Sequence, residues 1–590
     1  MKGKFIYLFS AFSLLIINYR CFSLDDREIF RAMHDELIRN TKELSIESVE
    51  KPYYIEYKLS ILNSTNIKAS LGSVQESSNI VSARLSVDVR VGGYKFDNSN
   101  FFDFGLSFFG SGDDEEDFSN RTIPVELDYG SLRRELWLAT DAAYKQSAEI
   151  YSKKLASLQN KVRKDTTHDF LFVKPEKNIL QEEISLTDIK LLQEKGRKLS
   201  AIFTGYPDIN VSTVTIEYNP ETVYYVNSEG MEYKKTIPYA GLEVVAATQS
   251  ADGMPVSEFF SCYGFTPSDF PKDDSLVSAV KSIAVKLSDI EKSQVLEEPY
   301  SGPVLFEGQA AAEIFAQVFA PNLVTQRAPL TESGIQDNDR NTAFQSKIGG
   351  RVLPEFLNLE AIPNKETYGT IPLMGYYKLD DEGVKPQDLT LVEKGYLRTL
   401  LSSRVPTKRV RTTNGSNRGG APMISSLRLY TTPDKQSTPA ELKQKLIKLV
   451  KDRELPYGFI VRKVIDQNIQ YTTLIRISAG DFPYSFGEPR QQLLEVYKVF
   501  PDGSEQLVRG CETKGLTVQS FKDIIGTGNR EYVLNYLAPA VTSPYISGGD
   551  QYLPSTIIVP DLLFEDAEIN PIESNFPKPP ILENPLLIKK

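Results

Sequence analysis

The sequence predicts an α+β fold of two sheet-containing domains, with antiparallel or mixed sheets and long packing helices. Some stretches repeat apolar residues at helical spacing, and others alternate apolar with polar at period two. Composition agrees: 41% of the 590 residues are hydrophobic and 11% aromatic, enough for large cores and too much for a tail or fibre.

The chain opens with a short basic start, Met1-Lys2-Gly3-Lys4, and an apolar run from Phe5 to Tyr19. That run is too short for a comfortable membrane span and has the order of a secretory signal, with cleavage expected near Ser23 and a mature chain from Leu24. Arg20 stands before Cys21 where a lipoprotein signal has a small residue. No later segment is apolar for long enough to cross a bilayer, so an exported, periplasmic or extracellular body is expected.

Ile29, Phe30, Met33, Leu37 and Leu44 predict an opening amphipathic helix over 25–44. From Tyr53 to Val91 the period becomes two, which predicts a meander with turns near Asn63 to Thr65 and Glu76 to Asn79. The acidic stretch Gly110 to Asp117 lacks calcium-loop spacing and predicts an exposed loop. Leu132, Leu136, Ala139, Ala143, Ile150, Leu155 and Leu158 predict a long helix over 131–161. Strands follow at 210–218, 222–226 and 242–248, then a helix over 274–293. A signal over 1–23, an N-terminal α+β domain over 24–297, a second domain over 298–572 and a proline-rich tail over 573–590 are the expected divisions.

A formal charge of −11 argues against a nucleic-acid polyanion as the main partner, and the local basic run Lys408, Arg409, Arg411 and Arg418 does not overturn it. Past the signal only Cys262 and Cys511 remain. One disulfide and two free buried thiols both stay open.

The second half carries a series of short motifs in order. It begins at Val304-Leu305-Phe306-Glu307-Gly308-Gln309-Ala310-Ala311-Ala312-Glu313, and continues through Tyr377-Lys378-Leu379-Asp380-Asp381-Glu382-Gly383-Val384 and Leu391-Val392-Glu393-Lys394-Gly395-Tyr396-Leu397. Thr413-Asn414-Gly415-Ser416-Asn417-Arg418, Val508-Arg509-Gly510, Gly526-Thr527-Gly528-Asn529 and a closing strand over 555–563 complete it, with Val226-Asn227-Ser228-Glu229-Gly230 extending it into the first half. In that order and spacing the chain resembles the TldD/PmbA peptidase family.

The resemblance implies zinc-assisted peptide hydrolysis by an HExxxH motif in the first of these segments. Such zinc needs neutral imidazoles as ligands, a glutamate to take a proton from bound water, and an open coordination position. Here the two histidine positions hold Gly308 and Glu313, the glutamate position holds Gln309, and the family's later thiol ligand aligns near Ser543. Cys511 lies too early to match. Only two histidines occur, His34 and His168, and neither has a second metal donor at recognisable spacing. The sequence therefore predicts no zinc cofactor. Gln309 and Glu313, at i and i+4, are expected to share a side-chain hydrogen bond. Ala311, Phe315, Val318 and Phe319 form the buried stripe of a helix kept for packing.

No histidine lies near a serine elbow, no glycine loop has the lysine and serine of a phosphate loop, and Asp380, Asp381 and Glu382 are expected in a solvated turn. Three classes remain. The first is a non-catalytic peptide-binding or partner subunit, forming a dimer with itself or with an HExxxH-bearing TldD-type paralogue. The second is a peptidase with an unusual metal site, for which Glu307 and Glu313 are the residues to test. The third is an exported structural or surface-binding scaffold. The basic loop over 407–420, with Lys408, Arg409, Arg411, Asn414 and Arg418, is the expected contact for a peptide carboxylate or a partner.

Overall fold

The computed structural model describes residues 24–47, 49–102, 120–159, 166–180, 187–327, 329–331, 334–335, 343–469, 491–541, 547–573, 576, 578–582 and 584–585. The expected signal, the acidic loop over 110–117 and Ser543 lie outside them. No helix among them is long and apolar enough to cross a membrane.

Helix α1 (Asp26–Glu43) starts where the Asp25 side chain accepts a hydrogen bond from the Glu28 amide, and it buries Ile29, Ala32, Met33 and Leu37. Strands β1 (Pro52–Ser70) and β2 (Ser73–Gly93) then pair antiparallel along their whole length. They form one long hairpin rather than the expected meander, and it turns at Leu71 and Gly72, both at positive φ. The polar residues read as turns lie inside strands. At Asn63 and Ser64 the far edge of β1 changes partner, because residues 56–62 pair with a strand over 221–227 and residues 65–69 with one over 211–218. Polar side chains suit that fork, and Ser64 donates to Asn219 at 2.9 Å.

Helix α2 (Tyr129–Leu158) packs Leu132, Leu136, Ala139 and Ala143 into one core with α1 and the hairpin. Helix α3 (Ile189–Ser200) and strands β3 (Val211–Tyr218), β4 (Glu221–Asn227), β5 (Glu232–Ile237), β6 (Ala240–Gln249) and β7 (Pro255–Gly264) complete the first sheet, in the order β7-β6-β3-β1-β4-β5. Helix α4 (Asp273–Lys292) covers its β6 and β7 end through Leu276, Val280, Ile283 and Leu287.

The second sheet is mixed. Its main elements are β8 (Tyr300–Phe306), helix α5 (Gln309–Ile314), β9 (Leu357–Ala361), β10 (Leu389–Glu393), β11 (Ser426–Thr431), helix α6 (Pro439–Asp452), β12 (Gly458–Val464), β13 (Gln491–Val499), β14 (Glu505–Arg509), β15 (Ile524–Val541) and β16 (Ser547–Pro571). The order runs β14-β13-β12-β8-β16-β11-β9-β10, with β15 paired to β16. The chain is thus α+β, with two large sheets. Cys262 and Cys511 are free, and burial pushes both thiols up to about 12.

The first sheet has two unlike faces. Along β1, Ile55, Tyr57 and Leu59 face the helices, whereas Tyr54, Glu56 and Lys58 face the second half of the chain. Both Tyr54 and Tyr225 donate to Glu56, at 2.6 and 2.7 Å. The segment expected as a solvated acidic turn is buried here. Asp380 Oδ1 accepts from the amides of Glu382 and Val384 at 2.9 and 2.8 Å, and its Oδ2 from Asn417 at 3.2 Å. Asp381 pairs with Lys235 at 2.9 Å, and Glu382 accepts the Arg404 amide at 3.0 Å. Successive acids do point apart, but each direction ends in a buried donor. Gly383, at φ +76°, closes the turn, and any Cβ there would meet the Met231 sulfur at 2.9 Å.

Arg404 joins the halves. Its Nη2 donates to both oxygens of Glu229 at 2.6 and 2.8 Å, its Nε donates to Leu171 O at 2.8 Å, and the guanidinium lies 4.0 Å from the Phe170 ring centroid. Removing it leaves Glu229 a buried carboxylate without a cation, held only by the Tyr94 hydroxyl. Arg404→Ala should therefore lose about 3–5 kcal/mol of stability, read from the denaturant midpoint at neutral pH.

Candidate functional site

The site grows from the junction of β8 and α5. Strand β8 runs parallel to β12, and the register continues past its end, where the Glu307 amide donates to Val461 O at 2.9 Å. Gly308 sits at φ +51° and its amide donates to Asp561 at 2.8 Å. The Gln309 carboxamide then imitates a strand: Oε1 accepts from the Val464 amide and Nε2 donates to Val464 O, both at 3.0 Å. Its contact with Glu313, at 3.4 Å, is the weaker one. Glu313 takes its stronger bond from Gln317, at 2.9 Å, and Gln317 also donates to Ile465 O at 2.7 Å. After Ile314 the helix widens into a π turn over 315–319, and Phe315 and Phe319 pack against Phe521.

Acidic groups gather beside this helix at the contact between the sheets. Glu313 is 1% and Asp466 2% exposed. Burial drives the Glu313 carboxyl well above the usual range, and the Asp466 charge adds to that. Burial also raises Asp466, to about 6, against the pull of the Ile469 and Asn468 amides. From the first sheet comes Glu243, which accepts from the Tyr263 hydroxyl at 2.6 Å and from Asn468 at 3.0 Å. Burial raises it to about 8, with Asp466 and Glu217 pushing the same way. Tyr536 on β15 brings a hydroxyl that has no hydrogen-bond partner among the described residues. Burial raises that phenol, as do the charges of Glu313 and Asp466.

The donor set does not fit the zinc site that the sequence resemblance implies. Gly308 has no side chain, the Gln309 amide is spent on backbone, and Glu313 favours its protonated form. The carboxylate alternative fares no better, since Glu307 is held by Arg462 at 2.9 Å. His34 pairs with Glu232 at 2.6 Å, and His168 is exposed with its carbonyl accepting from Arg327. Among the described residues no group of three histidine, cysteine, aspartate or glutamate side chains is placed to hold a metal ion.

Residues 299–570 match the PmbA/TldA metallopeptidase C-terminal domain. The second half of the chain belongs to the TldD/PmbA family. Its fold is shared with solved structures along nearly its whole length. A Thermotoga maritima protein described as a candidate modulator of a DNA gyrase is 15% identical, with TM-score 0.57 over 92% of this chain and 100% of that one. TldE from Thermococcus kodakarensis is 13% identical, with TM-score 0.55 over 91% and 100%. A Bacteroides thetaiotaomicron protein, also described as a candidate modulator of DNA gyrase, gives 13%, 0.56, 92% and 98%. At these identities the likeness is one of fold. No curated protein matches the sequence.

On this TldD/PmbA scaffold the basic loop divides into two parts. Lys408, Arg409 and Arg411 are exposed. Asn414 is buried, with its amide on Leu400 O at 2.9 Å and its carbonyl on the Ser402 amide at 2.8 Å. Arg418 turns inward to Ile424 O at 2.8 Å and Pro554 O at 2.5 Å, beside the Tyr377 ring. Those two are structural pins rather than parts of an exposed contact. Two capped backbone carbonyls depend on Arg418.

Sequence reasoning passed over Glu243, Asp466 and Tyr536. The one signal available was an acid set in an apolar run, Leu242-Glu243-Val244-Val245 and Val464-Ile465-Asp466. Carboxyls raised in this way set a pH dependence of stability. Asp466 at about 6, Glu382 at about 7 and Glu243 at about 8 all lie above their ordinary 3.8 or 4.5, so the folded chain keeps protons that the unfolded chain has lost. That contribution is complete below the ordinary values and disappears as pH climbs through the raised ones. Tm should fall from about pH 5 to about pH 8.5, and Glu243→Gln should flatten the upper part of the slope.

Proposed function

We propose that this protein is an exported, non-catalytic member of the TldD/PmbA family that holds a peptide or an unfolded segment of a protein without cutting it. The observation that carries the reading is Gln309. In the position that the resemblance assigns to the proton-accepting glutamate, both arms of its carboxamide bond one backbone residue, Val464. A base needs a free basic lone pair facing water or substrate, and an amide in a two-point bond offers none. The remaining motif positions support the same reading, since Gly308 cannot ligate and Glu313 is turned to Gln317 and Asp466. Peptide binding fits a site where two sheets meet, because an extended ligand can add main-chain hydrogen bonds at a strand edge.

A partner role is a second reading, favoured by the three exposed cations Lys408, Arg409 and Arg411 on a chain of net charge −11. The family resemblance implies pairing of an HExxxH-bearing chain with a paralogue lacking that motif, and this chain has the paralogue's pattern. Localisation outside the cytoplasm rests on the N-terminal signal reading alone.

The test is incubation of the mature chain with a mixed peptide library, followed by mass spectrometry of bound and free fractions. Peptides should be retained intact, with chelator making no difference. Cleavage products that disappear on chelation, or on Glu313→Gln, overturn the non-catalytic assignment.

A further inference from the structure

We propose that the cavity between α4 and the strands β7, β12 and β13, with Glu258 at its floor and Ser282 at its mouth, binds a small free α-amino acid such as glycine or alanine. Its lining shares no residue with α5, and the proposal does not rest on the peptide-holding reading.

The cavity has a volume of about 160 Å³, several times what one water molecule needs. Its walls bring together two ion pairs, each formed between the two halves of the chain and opposite in sense. Glu258 on β7 pairs with Lys463 on β12 at 2.5 Å, and Lys286 on α4 pairs with Glu495 on β13 at 3.2 Å. Lys463 and Glu495 are direct partners in the register of β12 and β13, so the two pairs stand side by side. Exposure falls from mouth to floor. Ser282 is exposed, the side chains of Lys286 and Lys463 are 34% and 18% exposed, and that of Glu258 is 1%.

On the floor one acceptor has no donor. Glu258 Oε1 accepts from the Lys463 ammonium and the Phe259 amide, which counter the burial that raises this carboxyl. Its Oε2 is buried and has no hydrogen-bond partner among the described residues. Such an atom is uncommon and costly. Other buried carboxylates in the contact between the halves do not share the defect: both oxygens of Glu229 accept from Arg404, those of Asp381 from Lys235 and the Gly419 amide, and those of Asp380 from backbone amides. The lysines, for their part, have donors to spare. An ammonium carries three N–H groups. Lys463 directs two of them to Glu258 and Phe259 O, and Lys286 directs two to Tyr497 and Glu495. One N–H on each is left for a ligand.

A free α-amino acid supplies the complementary set. Its ammonium gives Glu258 Oε2 the missing donor, and its carboxylate takes the spare N–H groups of Lys286 and Lys463 in charge-assisted bonds. Two lysines and two glutamates balance in the empty cavity, so a ligand of zero net charge keeps that balance. A lone anion would crowd Glu258 and Glu495, and a lone cation would crowd Lys286 and Lys463. A residue inside a peptide carries neither α-charge, so the site selects the free amino acid. The small volume favours the smallest side chains.

The experiment is isothermal titration calorimetry of the mature chain at neutral pH with glycine, alanine, propionate and ethylamine. Propionate and ethylamine each keep one of alanine's two charges, and alanine should bind at least about tenfold more tightly than either. Glu258→Gln and Lys286→Met should each weaken alanine binding by about tenfold or more. Since Glu258 is buried and its replacement can unsettle the fold, Ser282→Trp tests the same site from its exposed mouth: Tm should stay unchanged while alanine binding is lost. Absence of heat with both glycine and alanine at ~10 mM overturns the proposal, and so does propionate or ethylamine binding as tightly as alanine. Undiminished alanine binding by a Ser282→Trp chain of intact Tm overturns it as well.

Discussion

The architecture depends on burying a sheet face that is not apolar. One face of the first sheet meets helices through ordinary aliphatic packing, but the other carries Tyr54, Glu56, Lys58, Tyr225, Tyr233 and Lys235 into the contact with the second half. Charges in such a place are tolerated only when each finds a partner. The second half supplies those partners from irregular backbone rather than from strands, through Asp380, Asp381, Glu382 and Arg404. A loop that must present donors and acceptors at fixed points cannot move freely, which explains the glycine at 383 and the fully bonded Asp380.

At the other end of the same contact lies the motif helix, and there the pairing is incomplete. The helix is anchored to β12 by Gln309 and Gln317, whose amides bond the backbone of Val464 and Ile465. Both side chains do work that belongs to a strand neighbour, so the helix keeps its place whatever chemistry it serves. Among the described residues Glu243, Glu313 and Asp466 form no ion pair there, and neutral groups donate to them. The buried ion pairs of the contact are instead those of Arg404 with Glu229, Lys235 with Asp381 and Lys463 with Glu258.

Much of the fold was legible because the periodic signals were strong. The helices at 26–43, 129–158 and 273–292 lie within a few residues of the expected bounds, since each carries an uninterrupted apolar stripe. Where polarity was read as exposure, the reading failed. Asn63 to Thr65 are polar because β1 changes partner there, and Asp380 to Glu382 are acidic because buried amides and cations await them. No local pattern distinguishes a solvated acid from one whose partner lies more than a hundred residues away, as Asp381 and Lys235 do. The same blindness covered Glu243 and Asp466, each a single acid that acquires meaning only when two sheets are brought together. In the basic loop the exposed and inward cations have identical sequence signatures, and only the fold separates Arg411 from Arg418.

We propose that the motif positions serve structure rather than metal chemistry. Elemental analysis of the mature chain, produced in zinc-supplemented medium and dialysed without chelator, tests it most directly. Zinc should be far below stoichiometric and unchanged by Glu307→Gln or Glu313→Gln. Near-stoichiometric zinc that survives dialysis and is lost in either variant would contradict the account.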